Sequence, residues 1–241
     1  MTTRSLIVIP AYNEVAKVAD VVKSCAKYCD VLVVDDGSID NTCKASTEAG
    51  ATVITNKTNR GYEYSLNIGY KYAVKFNYDL MITMDADGQL PHNNIPEFIE
   101  AIDAGACLVV GRRRKIVRVC EKLLSYSSSR LSSILDPYCG MKAYNLKALR
   151  RKSFSKYNSI GTSLAFEYVE QKLKCKNIDI DINDREGKSK FGGKFGGNFG
   201  GIFGGQFDGK SNSHQNFRRN VPPNLRKFPT IFRTLPLILN L

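Results

Sequence analysis

A chain of 241 residues, 43% hydrophobic and 10% aromatic, is long enough for one α/β domain with a sizeable core and an appendage. No apolar run approaches the 18 or more residues of a membrane span, and Met1-Thr2-Thr3-Arg4 leads straight into a strand, so no signal peptide is expected. Seven cysteines without metal-ligand spacing argue against a zinc site and for free thiols in a reducing cytosol, while the net charge of +12 implies an anionic partner.

Ser5–Ile9 is a short β-rich run closed by Pro10. Val15, Val18, Ala19, Val22 and Ala26 recur at helical spacing and predict a helix over 13–28. A second buried strand, Val31–Val34, ends at Asp35-Asp36-Gly37-Ser38. Asp40 is a good N-cap for a helix over 41–49. Thr52–Thr55 is a third strand, 62–76 a helix, and Leu80-Met81-Ile82-Thr83-Met84 a fourth strand. Pro96–Ala104 is helical and Cys107–Val110 is a fifth strand. Strands alternating with helices at this spacing predict an α/β fold, a mostly parallel sheet covered by helices on both faces. Ligands of such sheets sit beyond the carboxyl ends of the strands. Asp35-Asp36 and Asp85-Ala86-Asp87 both fall at those ends, so the two acidic segments are expected to face one crevice.

Past residue 111 the pattern loosens. Residues 115–134 read as a helix with a basic face, Asp136-Pro137-Tyr138-Cys139-Gly140 as a turn, 162–174 as a helix and Ile178–Ile182 as an edge strand. Phe191, Phe195, Phe199, Phe203 and Phe207 then recur every four residues among glycines. Glycine is a poor helix former, so 191–209 reads as a flexible or loosely folded linker. The tail, 210–241, is basic and apolar, and its four prolines preclude a long helix. It suits a membrane interface or an apolar patch on its own domain equally well.

Two carboxylates one residue apart at a strand end, Asp85 and Asp87, can share one divalent cation. Magnesium and manganese prefer oxygen ligands and keep part of their shell for phosphate. The charge is also unevenly placed. Residues 111–156 hold thirteen Lys/Arg against only Glu121 and Asp136, and residues 210–241 hold six and no acid. Two basic islands on a mildly acidic body suit phosphates, an acidic membrane surface or nucleic acid.

Three motifs in order, Ile9-Pro10-Ala11-Tyr12-Asn13-Glu14, Val34-Asp35-Asp36-Gly37-Ser38-Ile39-Asp40 and Asp85-Ala86-Asp87-Gly88-Gln89, resemble the nucleotide-sugar domain of family 2 glycosyltransferases of the GT-A fold. Asn59-Arg60-Gly61 and Asn67-Ile68-Gly69 fit as well, and the resemblance covers roughly residues 5–190. It implies a domain over 1–190, with a nucleotide-sugar half at 1–110 and an acceptor half at 111–190. The Phe-Gly-Gly stretch is then an insertion outside the family pattern. Val110-Gly111-Arg112-Arg113, Asp136 through Gly140, and Arg185 through Lys190 look most like the dolichyl-phosphate mannose synthase branch, which moves a hexose from a nucleoside-diphosphate sugar to a polyprenyl phosphate.

By that resemblance Pro10, Tyr12, Glu14 and Asp36 surround the nucleoside, with Asp85, Ala86 and Asp87 completing the nucleotide-sugar site. Asp85, Asp87 and Gln89 hold Mg2+ or Mn2+ and the diphosphate, and Arg113, Arg130, Arg185 and Lys190 bind phosphate. Asp87, Arg113, Arg130 and Asp136 are the catalytic candidates, although Asp136 could instead only order its turn. The family implies inversion at the anomeric carbon, and the lipid acceptor implies peripheral attachment on the cytosolic face of a membrane.

A neutral hydroxyl acceptor needs a general base, whereas a phosphate monoester is already anionic. Hydroxyl-directed relatives often carry a Glu-Asp pair in the acceptor region. Here Asp136 is the only acid between Glu121 and Glu167, which favours a phosphate acceptor. The rival within the family is transfer to a polysaccharide or a lipid-linked sugar. A basic nucleic-acid-binding protein is the remote rival, without a recognised motif, so no nucleic acid partner is expected. His92 is left out of the metal shell, and Tyr62 and Tyr64 could line the crevice, with packing the favoured role.

Overall fold

The computed structural model describes residues 3–114, 133–150, 160–161 and 163–183. All of them fall in the first of the two units into which the chain divides, Met1–Glu186. In chain order the elements are β1 (Ser5–Ala11), α1 (Val18–Cys25), β2 (Asp30–Asp35), α2 (Thr42–Glu48), β3 (Thr52–Thr55), α3 (Tyr62–Lys75), β4 (Leu80–Thr83), a 3-10 turn (His92–Asn94), α4 (Ile95–Asp103), β5 (Leu108–Arg113), β6 (Lys142–Asn145), α5 (Leu146–Arg150), α6 (Ser163–Glu170) and β7 (Cys175–Ile180).

Among the described residues the strands form one seven-stranded sheet in the order β3-β2-β1-β4-β6-β5-β7. Strand β6 runs antiparallel to both β4 and β5, and every other pairing is parallel. The run β1-β2-β3 grows one way from β1 and β4 lies on its other side, which makes the β1/β4 boundary the switch point where such sheets bind ligands.

The core lies on both faces of the sheet, as parallel strands require. Ile7, Ile9, Val31, Val33 and Ile82 point to the face covered by α1 and α4, through Val18, Val22, Phe98 and Ile102. Leu6, Val8, Leu32, Val34 and Met81 point to the opposite face, with Leu66 and Ala73 of α3 and Tyr168 of α6. Helix α3 packs so closely on β1 that a Cβ on Gly69 would lie 2.2 Å from a methyl of Val8.

Four points of the sequence reading are corrected. Strand β1 runs through Pro10 to Ala11 instead of ending at Ile9. The Ala11 carbonyl accepts from Asp36 N on the β2 side, and the Val8 carbonyl accepts from Met84 N on the β4 side. Pro10, two residues beyond Val8, therefore turns its donorless nitrogen towards β4, whose pairing with β1 has already ended at Val8. The proline marks where the two strands part and the crevice opens.

Helix α1 starts at Val18, not at 13. Asn13 has φ 55°, and the amides of Asn13, Glu14 and Val15 donate to Ser38 Oγ, Thr42 Oγ1 and Asp40 Oδ2. The positive φ takes Asn13 out of helical geometry, and these bonds tie 13–15 to the segment between β2 and α2. Strand β6 was not read at all, because Lys142-Ala143-Tyr144-Asn145 is short and begins with a lysine. Strand β7 begins at Cys175, three residues before the expected edge strand at 178–182. Of the helix expected over 115–134 only 133 and 134 are described, and 191–241 lies outside the described residues.

Candidate active site

Asp85, Ala86 and Asp87 follow β4, while Asp35 and Asp36 close β2, and both segments flank the end of β1. The expectation that they face one crevice therefore agrees with the topology. Pro10 and Ala86 are buried, Glu14 is half-buried and Tyr12 is 38% exposed at the rim.

Asp36 is 4% exposed, and the chain itself uses both of its oxygens. Oδ1 accepts from Asn56 Nδ2 at 2.7 Å and from the Arg60 amide at 2.9 Å; Oδ2 accepts from the Gly61 amide at 2.7 Å. Asp36 thus fixes the start of α3. Asp35, 1% exposed, accepts from the Ser38 amide and shapes the turn after β2.

The first residue of α3, Tyr62, donates its hydroxyl to Asp85 Oδ1 at 3.1 Å. Burial, then the Asp85 charge, raise the phenol well above its ordinary pKa, so it remains a donor. On the other side of Asp85 lies Gly140, where a Cβ would stand 2.2 Å from Asp85 Oδ2. Thr83 Oγ1 donates to the Gly140 carbonyl at 2.6 Å. Lys142, only 4% exposed and directly across from Thr83 in the β4–β6 ladder, donates Nζ to the Cys139 carbonyl. Burial lowers the pKa of Lys142, opposed by Cys139, Glu63, Asp85 and Asp136.

Asp87 Oδ1 accepts from the Gln89 amide at 3.1 Å. The Gln89 carbonyl accepts from the Asn183 amide at 2.9 Å, and the Gly88 carbonyl from Asn183 Nδ2 at 3.3 Å. The acidic loop is therefore tied to the segment that leaves β7. His92 sits half-buried in the 3-10 turn.

Asp136 is fully buried and grips Arg113. Its Oδ2 accepts from Arg113 Nε at 2.8 Å and from the Arg113 amide at 3.3 Å, and its Oδ1 from Arg113 Nη2 at 3.0 Å. This bidentate pair is the strong form of an arginine–carboxylate contact. Arg112 and Arg114, exposed on β5 and just after it, pair with Asp179 and Asp181. Such exposed pairs contribute little to stability. Arg130, Arg185 and Lys190 lie outside the described residues.

Among the described residues no group of three or more His, Cys, Asp or Glu side chains gathers to hold a metal. The donor set nevertheless suits a divalent ion: Asp85 and Asp87, one residue apart beyond β4, supply the oxygen ligands that Mg2+ and Mn2+ prefer. Burial, and then the charge of Asp87, raise the Asp85 pKa to about 6.

That shift has a measurable sign. A raised carboxylate binds its proton more tightly folded than unfolded, so Asp85 makes folding less favourable as pH rises from 3.8 to about 6. Metal-free wild type is expected to lose stability relative to Asp85→Asn across that window. Thermal unfolding of both proteins at several pH values checks this, and a constant difference would contradict the raised pKa.

Sequence reasoning missed Glu63, Lys142 and Asn183. Tyr62, which could line the crevice or serve packing by sequence, is placed against Asp85. Glu63 accepts from the Gly161 amide at 2.9 Å, across 98 residues, and no local pattern announces it.

A largely parallel sheet with one reversed strand and acidic loops at its switch point defines a protein of the GT-A class. Solved structures agree on the fold. Glucosyl-3-phosphoglycerate synthase from Mycobacterium tuberculosis, in complex with Mn2+, UDP and phosphoglyceric acid, superposes with a TM-score of 0.62 at 19% identity, covering 78% of this chain and 72% of that one.

The glycosyl transferase family 2 profile matches residues 6–159, and the chain belongs to that family, as a glycosyltransferase. Among its relatives, an undecaprenyl-phosphate mannosyltransferase of Micrococcus luteus is 28% identical over 79% of this chain and 88% of its own length. The polyprenol monophosphomannose synthase of Mycolicibacterium smegmatis is 27% identical over 80% and 82%. An undecaprenyl-phosphate 4-deoxy-4-formamido-L-arabinose transferase of Edwardsiella ictaluri is 28% identical over 77% of this chain, which spans 62% of that relative's length.

Proposed function

We propose that this chain transfers a hexose, with inversion, from a nucleoside-diphosphate sugar to a dolichyl or other polyprenyl phosphate. GDP-mannose is the favoured donor and UDP-glucose the next. The names of the Micrococcus and Mycolicibacterium relatives support this acceptor class. The observation that carries it here is the state of Asp136. Asp136, in the acceptor half, is buried, with both oxygens on Arg113. An acid committed in this way is a poor general base for a neutral hydroxyl. A phosphate acceptor is already ionised and needs charge compensation instead.

Asp85, Asp87 and Gln89 are the residues that would hold Mg2+ or Mn2+. When bound, the ion neutralises charge that develops on the departing nucleoside diphosphate. Tyr12 and Glu14 at the rim, with Pro10 and the Asp36-anchored turn behind them, form the wall for the nucleoside. Arg185 belongs to the proposed phosphate-binding set, which Arg130 and Lys190 complete. No helix among the described residues is long and apolar enough to cross a membrane. In this reading the enzyme works peripherally, on the cytosolic face of a membrane.

The test is a transfer assay with magnesium or manganese, a short polyprenyl phosphate and labelled GDP- and UDP-sugars. A chloroform-soluble, acid-labile product is expected, and it names the donor. Transfer to a neutral sugar acceptor without any lipid product would overturn the acceptor assignment in favour of polysaccharide or lipid-linked-sugar synthesis.

A further inference from the structure

We infer that Tyr62 and Gly140 form a two-sided clamp that fixes the Asp85 carboxylate for metal binding, with Tyr62 acting as a positioning residue. The inference rests on the reading of Asp85 as a metal ligand.

One jaw is the Tyr62 hydroxyl, 3.1 Å from Oδ1. Its own position is set from behind. Asp36 accepts from the Arg60 and Gly61 amides, and these immediately precede Tyr62 at the start of α3. The carboxylate after β2 therefore places the phenol that holds the carboxylate after β4.

The other jaw is backbone. Oδ2 of Asp85 lies where a side chain at Gly140 would begin. Residues 139 and 140 are drawn there by Lys142 Nζ on the Cys139 carbonyl and by Thr83 Oγ1 on the Gly140 carbonyl. Thr83 and Lys142 face each other in the β4–β6 ladder, so the sheet register itself sets this jaw. Between the jaws the carboxylate has little freedom to rotate. Outer partners that orient a ligating carboxylate in this way tune metal affinity and activity. Tyr62 acts here through Asp85.

The experiment is a titration of the full chain with Mn2+ in the presence of GDP, and separately UDP, following free Mn2+ by electron paramagnetic resonance. Tyr62→Phe keeps the ring and removes the donor. It should weaken Mn2+ binding about tenfold, the lower end of what outer-partner changes cost. Nucleotide affinity without metal and the thermal midpoint should hardly change. In the transfer assay the Mn2+ concentration for half-activation should rise by a similar factor, with kcat at saturating Mn2+ nearly restored.

Gly140→Ala drives a methyl into Oδ2 and should shift the same titration, which decides the matter if Tyr62→Phe fails to fold. Mn2+ binding unchanged in the folded variant would overturn the clamp. Wild type that binds no Mn2+ with either nucleotide would overturn the metal reading, and the clamp with it.

Discussion

Asp87→Ala is expected to abolish sugar transfer while leaving the protein folded. A divalent ion on a departing diphosphate is worth several kcal/mol of transition-state stabilisation. At 1.36 kcal/mol per factor of ten, losing it slows transfer by about a thousandfold or more. The structural cost is small by comparison. Asp87 is half-buried on a loop, and its carboxylate accepts from the Gln89 amide. One such hydrogen bond is worth about 1 kcal/mol, or a few degrees of thermal midpoint in a domain of this size. Transfer rate and thermal unfolding, measured on the same preparation, separate the two effects. Full activity in the variant would remove the metal from the mechanism.

Arg113→Ala should act on stability first. Its partner, Asp136, is fully buried and has no solvent to fall back on. Breaking a buried pair by removing one member typically costs about 3–5 kcal/mol, because the other charge is left uncompensated. Asp136→Ala should cost a comparable amount, since the Arg113 side chain is itself only 17% exposed. Replacing both members by apolar residues of similar volume should recover much of the loss. Arg113→Lys should recover little, as a lysine cannot reproduce the two parallel bonds. Denaturant titration of the four proteins gives the comparison. A folded Arg113→Ala protein of normal stability that had lost only phosphate-acceptor use would return Arg113 to the role of a free phosphate-binding cation.

These outcomes bear on how the site is divided. The sequence reading treated Arg113 as an acceptor cation and Asp136 as either a catalytic acid or the organiser of a turn. The structure joins the two, and the pair locks the end of β5 to the turn that leads into β6. Asp136 thus has a partner, Arg113, that the turn alone did not reveal. Asp36 changes in the same direction. Whatever it offers the nucleoside, it also clamps Asn56, Arg60 and Gly61, and through them it positions Tyr62.

Much was legible in the sequence because it depends on local pattern. The alternation of apolar strands and amphipathic helices over 5–110 reflects periodicity, which each segment carries within itself. The acidic segments at 35–36 and 85–87 could be assigned to one crevice because a parallel sheet places all its carboxyl ends together. What only the tertiary structure decided was partnership. Tyr62 meets Asp85 across 23 residues, Arg113 meets Asp136 across 23, and Asn183 reaches the acidic loop across 95. Strand β6 reverses direction between β4 and β5 and so brings Lys142 and Gly140 under Asp85. A residue's chemistry is written at its own position, but its hydrogen-bond partner is selected by packing between segments distant in the chain, and no local window contains that choice.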